Sequence, residues 1–262
     1  ALPISAFSQG WRRAKLYFLT GLPTETDEDT LAILELARKC IDVGREHHRS
    51  PSVTISLGGF VPKPFTPFQW FGQNTETELR RKIGLLRDGL RSGGKTFNGV
   101  KLKWHDARAS VVEGLFSRGD RRLGAVIEDV WRNGGVFQEW SEHFDVSLWE
   151  NALARNGLSL DWYVYRHRTH DEVLPWDHLS AGLHKDFLWQ DWRDALDEVG
   201  LEDCRWTPCY DCGACTGYGI EHIVASAVPP AGGSQGTGQG PGNNAVPVSL
   251  STGPRVPAGA GS

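Results

Sequence analysis

The sequence predicts an α/β chain in which short parallel strands alternate with helices, followed by a helix-rich extension and a compact knot of cysteines. Three observations predict it. An apolar run at 15–20 (KLYFLT), a capped helical pattern and a second apolar run at 53–57 follow one another in the order of a parallel strand–helix–strand unit. From 110 to 200 the apolar residues recur mostly at helical spacings. Four of the five cysteines then fall together as Cys204, Cys209, Cys212 and Cys215.

The elements follow in order. After the first strand, Gly21 and Pro23 make a turn, and Thr26 with Asp29 reads as a capped helix start. Asp27, Glu28 and Asp29 sit in the first turn, where the helix dipole favours them, and Leu31, Leu34, Ala37 and Ile41 keep helical spacing. Parallel crossovers gather ligand sites at the carboxyl ends of their strands, here the Gly21–Glu25 turn and the Gly58–Pro67 loop. The three prolines of GGFVPKPFTPFQW, among them Pro62 and Pro64, hold that loop extended, as a rigid lip beside a cavity requires. Leu79, Ile83, Leu86 and Leu90 predict a helix ended by Gly93 and Gly94. Val100, Leu102 and Trp104 alternate with lysines, as in a strand with one wet face. Helices are expected around 123–130, 148–152 and 187–196. The chain divides into an unassigned, foreign or misread lead-in (1–10), an α/β part (11–109), the helix-rich extension (110–203), the cysteine knot (204–224) and a tail (225–262). The tail is so rich in Gly, Pro, Ser and Ala that disorder is expected.

Composition excludes several classes. A net charge of −4 over 262 residues supplies no broad positive field for nucleic acid. No run of eighteen apolar residues occurs and no secretory signal opens the chain, so neither membrane insertion nor export is expected. The absence of Met, even at position 1, points to a piece of something longer. Eleven Trp are read first as packing. Walker, G-x-G-x-x-G, G-x-S-x-G and H-E-x-x-H patterns are all missing.

The cysteine run, C-x4-C-x2-C-x2-C, is too tight for a secreted disulfide framework and suits thiolates converging on one ion or cluster in a reducing cytoplasm. An iron–sulfur cluster commonly takes three ligands from one such run, zinc is the alternative, and unligated thiols are the bland reading. Cys40, within a helical pattern, reads as a small buried residue. Four further groupings carry chemistry-bearing residues. RGDRR (118–122) offers guanidiniums for a phosphate or carboxylate, although a solvated helix face or an internal ion-pair network is the commoner fate of such runs. EWSEHFD (139–145) reads as an exposed polar loop before acid–base chemistry or a metal, whereas His167 and His170 are spaced to share one face if helical, with a plain surface segment an equal reading. His105 beside Asp106 ends the third strand, where active sites collect.

From Trp11 to about Ile223 the strings WRRAKLYFLTGLPTETDED, FVPKPFTPFQW, RGDRR, WSEHFD, LPWDHL and the DC...C..CG.C ending occur in one order. In these the chain resembles the carboxyl-terminal half of a radical SAM protein of the branch that carries an amino-terminal cobalamin-binding domain. The resemblance implies the last strands of a partial (β/α)6 barrel. It also implies an enzyme whose 4Fe-4S cluster cleaves S-adenosylmethionine reductively to a 5'-deoxyadenosyl radical, with cobalamin as a candidate second cofactor of the full-length protein. The family's C-x3-C-x2-C cluster motif does not occur in this chain, which is then an inactive fragment whose missing amino-terminal half carries the radical chemistry. Gly21, Pro23, Glu25, Pro62 and Pro64 are the residues the resemblance and strand-end geometry place nearest S-adenosylmethionine. Cys204, Cys209, Cys212 and Cys215 would hold an accessory cluster or zinc. The rival reading is a zinc knuckle that engages RNA or protein through Trp206, Tyr210 and Tyr218.

Overall fold

The computed structural model describes residues 2–220. Strands β1 (Arg13–Thr20), β2 (Ser52–Gly59) and β3 (Val100–Trp104) form one parallel sheet in the order β1-β2-β3. Before them lies α1 (Leu2–Ser8), and the strands are linked by α2 (Asp27–His47) and α3 (Glu76–Ser92). The mixed α/β expectation therefore holds at the level of strand and helix order.

Register fixes two unlike faces, because paired residues of a parallel ladder point the same way and successive residues alternate. Ala14, Leu16 and Phe18 stand beside Val53, Ile55 and Leu57, and this face packs on α2 and α3 through Ile33, Ala37, Ile41 and Leu86. The opposite face carries Lys15, Tyr17 and Leu19, then Thr54, Ser56 and Gly58, then Lys101 and Lys103. Tyr17 is 74% exposed and Leu19 53%, so this second face has no helical layer over it among the described residues.

The Thr26 cap forms as its sequence signals. Its hydroxyl accepts from the Asp29 N–H, and the Asp29 carboxylate accepts from the Thr26 N–H at 2.9 Å, so each residue satisfies an orphan donor of the other. Thr26→Ala is expected to cost about 1 kcal/mol in urea unfolding; an unchanged midpoint would assign the helix start to the acidic turn alone.

The unassigned lead-in is helical, and Phe7 is buried against the sheet cluster, with the His48 ring at its backbone carbonyl. Seven residues with a single core-facing aromatic leave no periodicity to read, which is why the sequence gives no sign of it. Beyond β3 come α4 (Ala107–Arg118), α5 (Leu123–Arg132), α6 (Val146–Arg155) and α7 (Lys185–Leu196), with a π turn at Asp161–Tyr165. A second core of Val111, Leu115, Val126, Trp149 and Leu153 closes around Tyr163 and Val164 of that turn. The expected disordered tail and the last residues of the cysteine segment lie outside the described residues.

The proline-rich loop is more than a lip. Its first half borders cavities, and its second half is a splice between the sheet layer and the extension. Trp70 is buried with Leu174, Trp176 and Leu188, Phe71 stacks edge-on with Trp192 at 4.4 Å, and Gln69 Oε1 accepts from Trp176 Nε1 at 2.7 Å. The packing reading of tryptophan holds for Trp70, Trp149 and Trp176, whereas Trp11, Trp131, Trp140 and Trp162 are exposed.

Candidate functional site

The carboxyl ends of β2 and β3 open onto a cavity of about 960 Å3, large enough for a nucleoside-sized ligand. Leu19, Phe60, Val61, Phe116 and Trp149 make its apolar walls. Its ionisable positions are Lys63, His105, Asp106, Arg108, Glu113 and Glu139. A smaller hollow of about 220 Å3 between Tyr17, Leu19, Ser56, Gly58 and His105 adjoins it and continues onto the uncovered sheet face.

Each polar group has an architectural reason for its place. His105 follows β3 and its N–H bonds the Leu57 carbonyl, extending the ladder by one rung. Asp106 caps α4 by accepting from the Arg108 N–H at 2.9 Å, and the Arg108 guanidinium beside it holds its carboxyl below the usual range. Lys63 projects from the proline loop to Glu113 at 2.6 Å and Ser117 Oγ at 2.8 Å on α4. Glu139 arrives on the 139–145 loop, which Gln138 ties down by donating to the His143 carbonyl and accepting from Trp149 Nε1. The arrangement offers an apolar recess with a mixed-charge rim, fit to bind and orient a ligand.

The five predicted cofactor-side residues separate. Gly21 is buried with φ +91°, and a Cβ there would stand 3.0 Å from Asn74 Nδ2 and from Leu79, so the turn requires glycine. Glu25 points back into the protein. Its carboxylate accepts from the Gly21 and Leu22 N–H groups and from the Thr20 and Thr30 hydroxyls, and the buried Lys82 ammonium lies 3.5 Å away. Gly21 and Glu25 therefore brace the turn, and Pro23 rides on it half-buried. Pro62 is buried between two lining residues of the larger cavity, Val61 and Lys63, while Pro64 lines a different cavity. The 139–145 loop and His105 with Asp106, weaker candidates in the sequence, both reach the same recess. Only a prediction that the helical extension folds over the strand ends could have joined them.

His167 and His170 do not share a helical face. His167 packs on Phe71, and His170 lies between Trp70 and Trp189 with Nε2 2.9 Å from the Asp186 carboxylate.

Cys204, Cys209, Cys212 and Cys215 all line one cavity of about 290 Å3 together with Phe187 and Tyr210. The segment is seated on the start of α7, where the His184 N–H donates to the Cys212 carbonyl at 2.9 Å. Gly213, at φ +91°, lies against the His184 ring. Four sulfur donors on one hollow suit a thiophilic ion or cluster chemically. Among the described residues, however, no three Cys, His, Asp or Glu side chains stand close enough together to hold an ion as placed. Tyr210 and Tyr218, offered by the rival reading as stacking groups, spend their hydroxyls on the Glu202 and Ser180 carbonyls. No helix among the described residues is long and apolar enough to cross a membrane.

No family model and no solved structure matches the chain. A stretch of 119 residues, 45% of this chain, is 28% identical to the uncharacterized protein MJ0966 of Methanocaldococcus jannaschii and covers 24% of it. The chain thus matches about a quarter of that relative's length.

Proposed function

We propose that this chain is the carboxyl-terminal part of a radical SAM enzyme of the cobalamin-binding branch, its three strands being the last of a partial barrel. The observation that carries the reading is the sheet's second face. Tyr17, Leu19 and Lys103 are exposed on it, and Tyr17, Leu19, Ser56 and Gly58 line the hollow that adjoins the strand-end recess. A barrel needs an inner face, and the missing strands would close over this one. The motif strings of the sequence run in the family's order, and the relative from Methanocaldococcus jannaschii is far longer than the matched stretch. When bound, the family's cluster supplies the electron that cleaves S-adenosylmethionine. This chain's residues offer no site for that cluster, so no step is assigned to them beyond lining the recess. There Leu19, Phe60 and Trp149 would exclude water, and Lys63, His105 and Arg108 would orient polar groups.

The test is made on the complete gene product, purified without oxygen and supplied with S-adenosylmethionine and dithionite. Release of 5'-deoxyadenosine is the expected result, with none from this chain alone. A coding sequence that contains no C-x3-C-x2-C upstream, or a complete protein that releases no deoxyadenosine, overturns the reading.

On the same reading the four cysteines hold an accessory iron–sulfur cluster, with zinc as the alternative occupant, and the segment tightens when it is loaded. Cys212→Ser is expected to lose most of the metal found in anaerobically prepared wild type and to loosen the segment around Cys204. Equal metal content and equal melting in the two proteins would remove Cys212 from the ligand set. One zinc and no iron or sulfide would replace the cluster by zinc.

A further inference from the structure

Two arginines from motifs that the strand-end recess does not use meet inside the protein. Arg118, at the end of α4, is fully buried, and Arg168, just beyond the π turn, is 5% exposed. Their satisfied hydrogens go to backbone. Arg118 Nη1 donates to the Phe71 and Val164 carbonyls, and Arg168 Nη2 donates to the Tyr163 carbonyl at 3.1 Å and the Arg118 carbonyl at 3.5 Å. The other four nitrogens of the pair, Nε and Nη2 of Arg118 and Nε and Nη1 of Arg168, have no partner among the described residues.

Among the described residues neither guanidinium hydrogen-bonds a carboxylate. Glu172 acts on both through space, but it is held by both terminal nitrogens of Arg166, and Asp120 is held by Arg122 and the Tyr163 hydroxyl. Burial, reinforced for Arg118 by the neighbouring Arg168 and Arg166, pushes Arg118 down to about 9. Burial and then Arg166 push Arg168 down to about 10. Both remain cationic at neutral pH. Two like charges held out of water with no carboxylate hydrogen-bonded to either are costly, and paired or hydrogen-bonded burial is the rule.

A cavity lies beside the pair, walled off from it by one layer of residues. Ser117 and Gly119, the chain neighbours of Arg118, and Trp176, whose ring lies over the Arg168 guanidinium at 5.5 Å, line a cavity of about 840 Å3. Its rim carries Arg121, Arg122 and His178, and its one acid among the described residues is Asp120. We propose that Arg118 and Arg168 form a buried oxyanion site, which takes the carboxylate or phosphate of a small acidic ligand entering through this cavity. The site is distinct from the strand-end recess and does not depend on how that recess is read. The free Nε and Nη2 of Arg118 form a side-on fork that matches such oxyanions bidentately, and Arg168 adds single N–H donors beside it.

Thermal unfolding of the whole chain at fixed ionic strength tests it, with chloride as reference and inorganic phosphate and acetate as probes. Phosphate at ten times its Kd is expected to raise Tm by about 3–6 °C, and acetate by less if the site prefers a phosphate. Arg168→Gln and Arg118→Gln should abolish the rise, and Arg121→Gln, at the exposed rim, should keep it. The proposal is overturned if neither anion exceeds chloride, or if Arg121→Gln removes the rise while Arg168→Gln keeps it. Should the buried variants not fold, equilibrium dialysis of labelled phosphate against wild type decides: a single phosphate per chain supports the site, and none overturns it.

Discussion

Replacing Glu25 by alanine should destabilise the fold by about 3–5 kcal/mol, as the removal of one partner from a buried charge pair does. The Glu25 side chain is 8% exposed and that of Lys82 4%, so the lysine left behind would have little water to turn to. Four donors would lose their acceptor together, among them the Gly21 and Leu22 N–H groups that fix the turn after β1. Lys82 would keep only the Glu25 carbonyl and the Thr30 hydroxyl, each at 3.4 Å. The combined variant Glu25→Leu with Lys82→Met removes both charges and should recover most of the Lys82 part of the loss. It should not recover the backbone part, because the turn's N–H groups stay unsatisfied. Urea unfolding of the single and double variants measures both. A loss below about 1 kcal/mol for Glu25→Ala, in the range of exposed ion pairs, would show that the pair is hydrated.

That network shows where the sequence was legible and where it stopped. The strands, the Thr26 cap and the α2, α3 and α5–α7 positions follow from local rules, because a cap, an alternation or a helical stripe is complete within a few residues. Glu25 read as a strand-end ligand residue, since strand ends are where ligands gather. What the local pattern lacks is Lys82, 57 residues away, which turns the carboxylate inward. The same holds for RGDRR. Its composition suggests a solvated face, and Asp120 with Arg122 obeys that, but Arg118 is carried under the proline loop by the packing of α4 against the π turn. That turn closes Arg166 N–H onto the Asp161 carbonyl, one residue wider than an α turn, and no periodicity announces it. The recess at the strand ends was half visible, through the Gly58–Pro67 loop and His105, because only contact across the domain brings Glu139 and Trp149 to the same wall.

Gly72→Ala is expected to be as damaging, at about 3–5 kcal/mol, for a reason that lies in backbone packing. A Cβ at this position would collide with the carbonyl oxygen of Tyr165, the last residue of the π turn, and would also lie 3.2 Å from the Arg166 carbonyl carbon. Backbone cannot rotate away as a side chain can, so the two segments must part. Each neighbour of Gly72 makes a bond that parting would break. The Phe71 carbonyl accepts from Arg118, the Gln73 N–H donates to the Val164 carbonyl at 2.9 Å, and the Trp70 carbonyl accepts from the Arg168 N–H at 2.7 Å. The splice between the sheet layer and the extension should loosen as a unit, so amide exchange at Gln73 and Arg168 should accelerate together. Gly84→Ala supplies the contrast. It lies within α3, a Cβ there meets nothing within 4 Å, and the change should stabilise by about 0.5–1 kcal/mol. If both glycines respond alike in urea, close approach of the backbone is not what fixes Gly72. If Gly72→Ala is damaging but Gln73 and Arg168 stay protected, the damage lies outside the splice. Because Arg118 loses the Phe71 carbonyl when the segments part, the Gly72 variant should also lose the phosphate response, whereas the Gly84 variant should retain it.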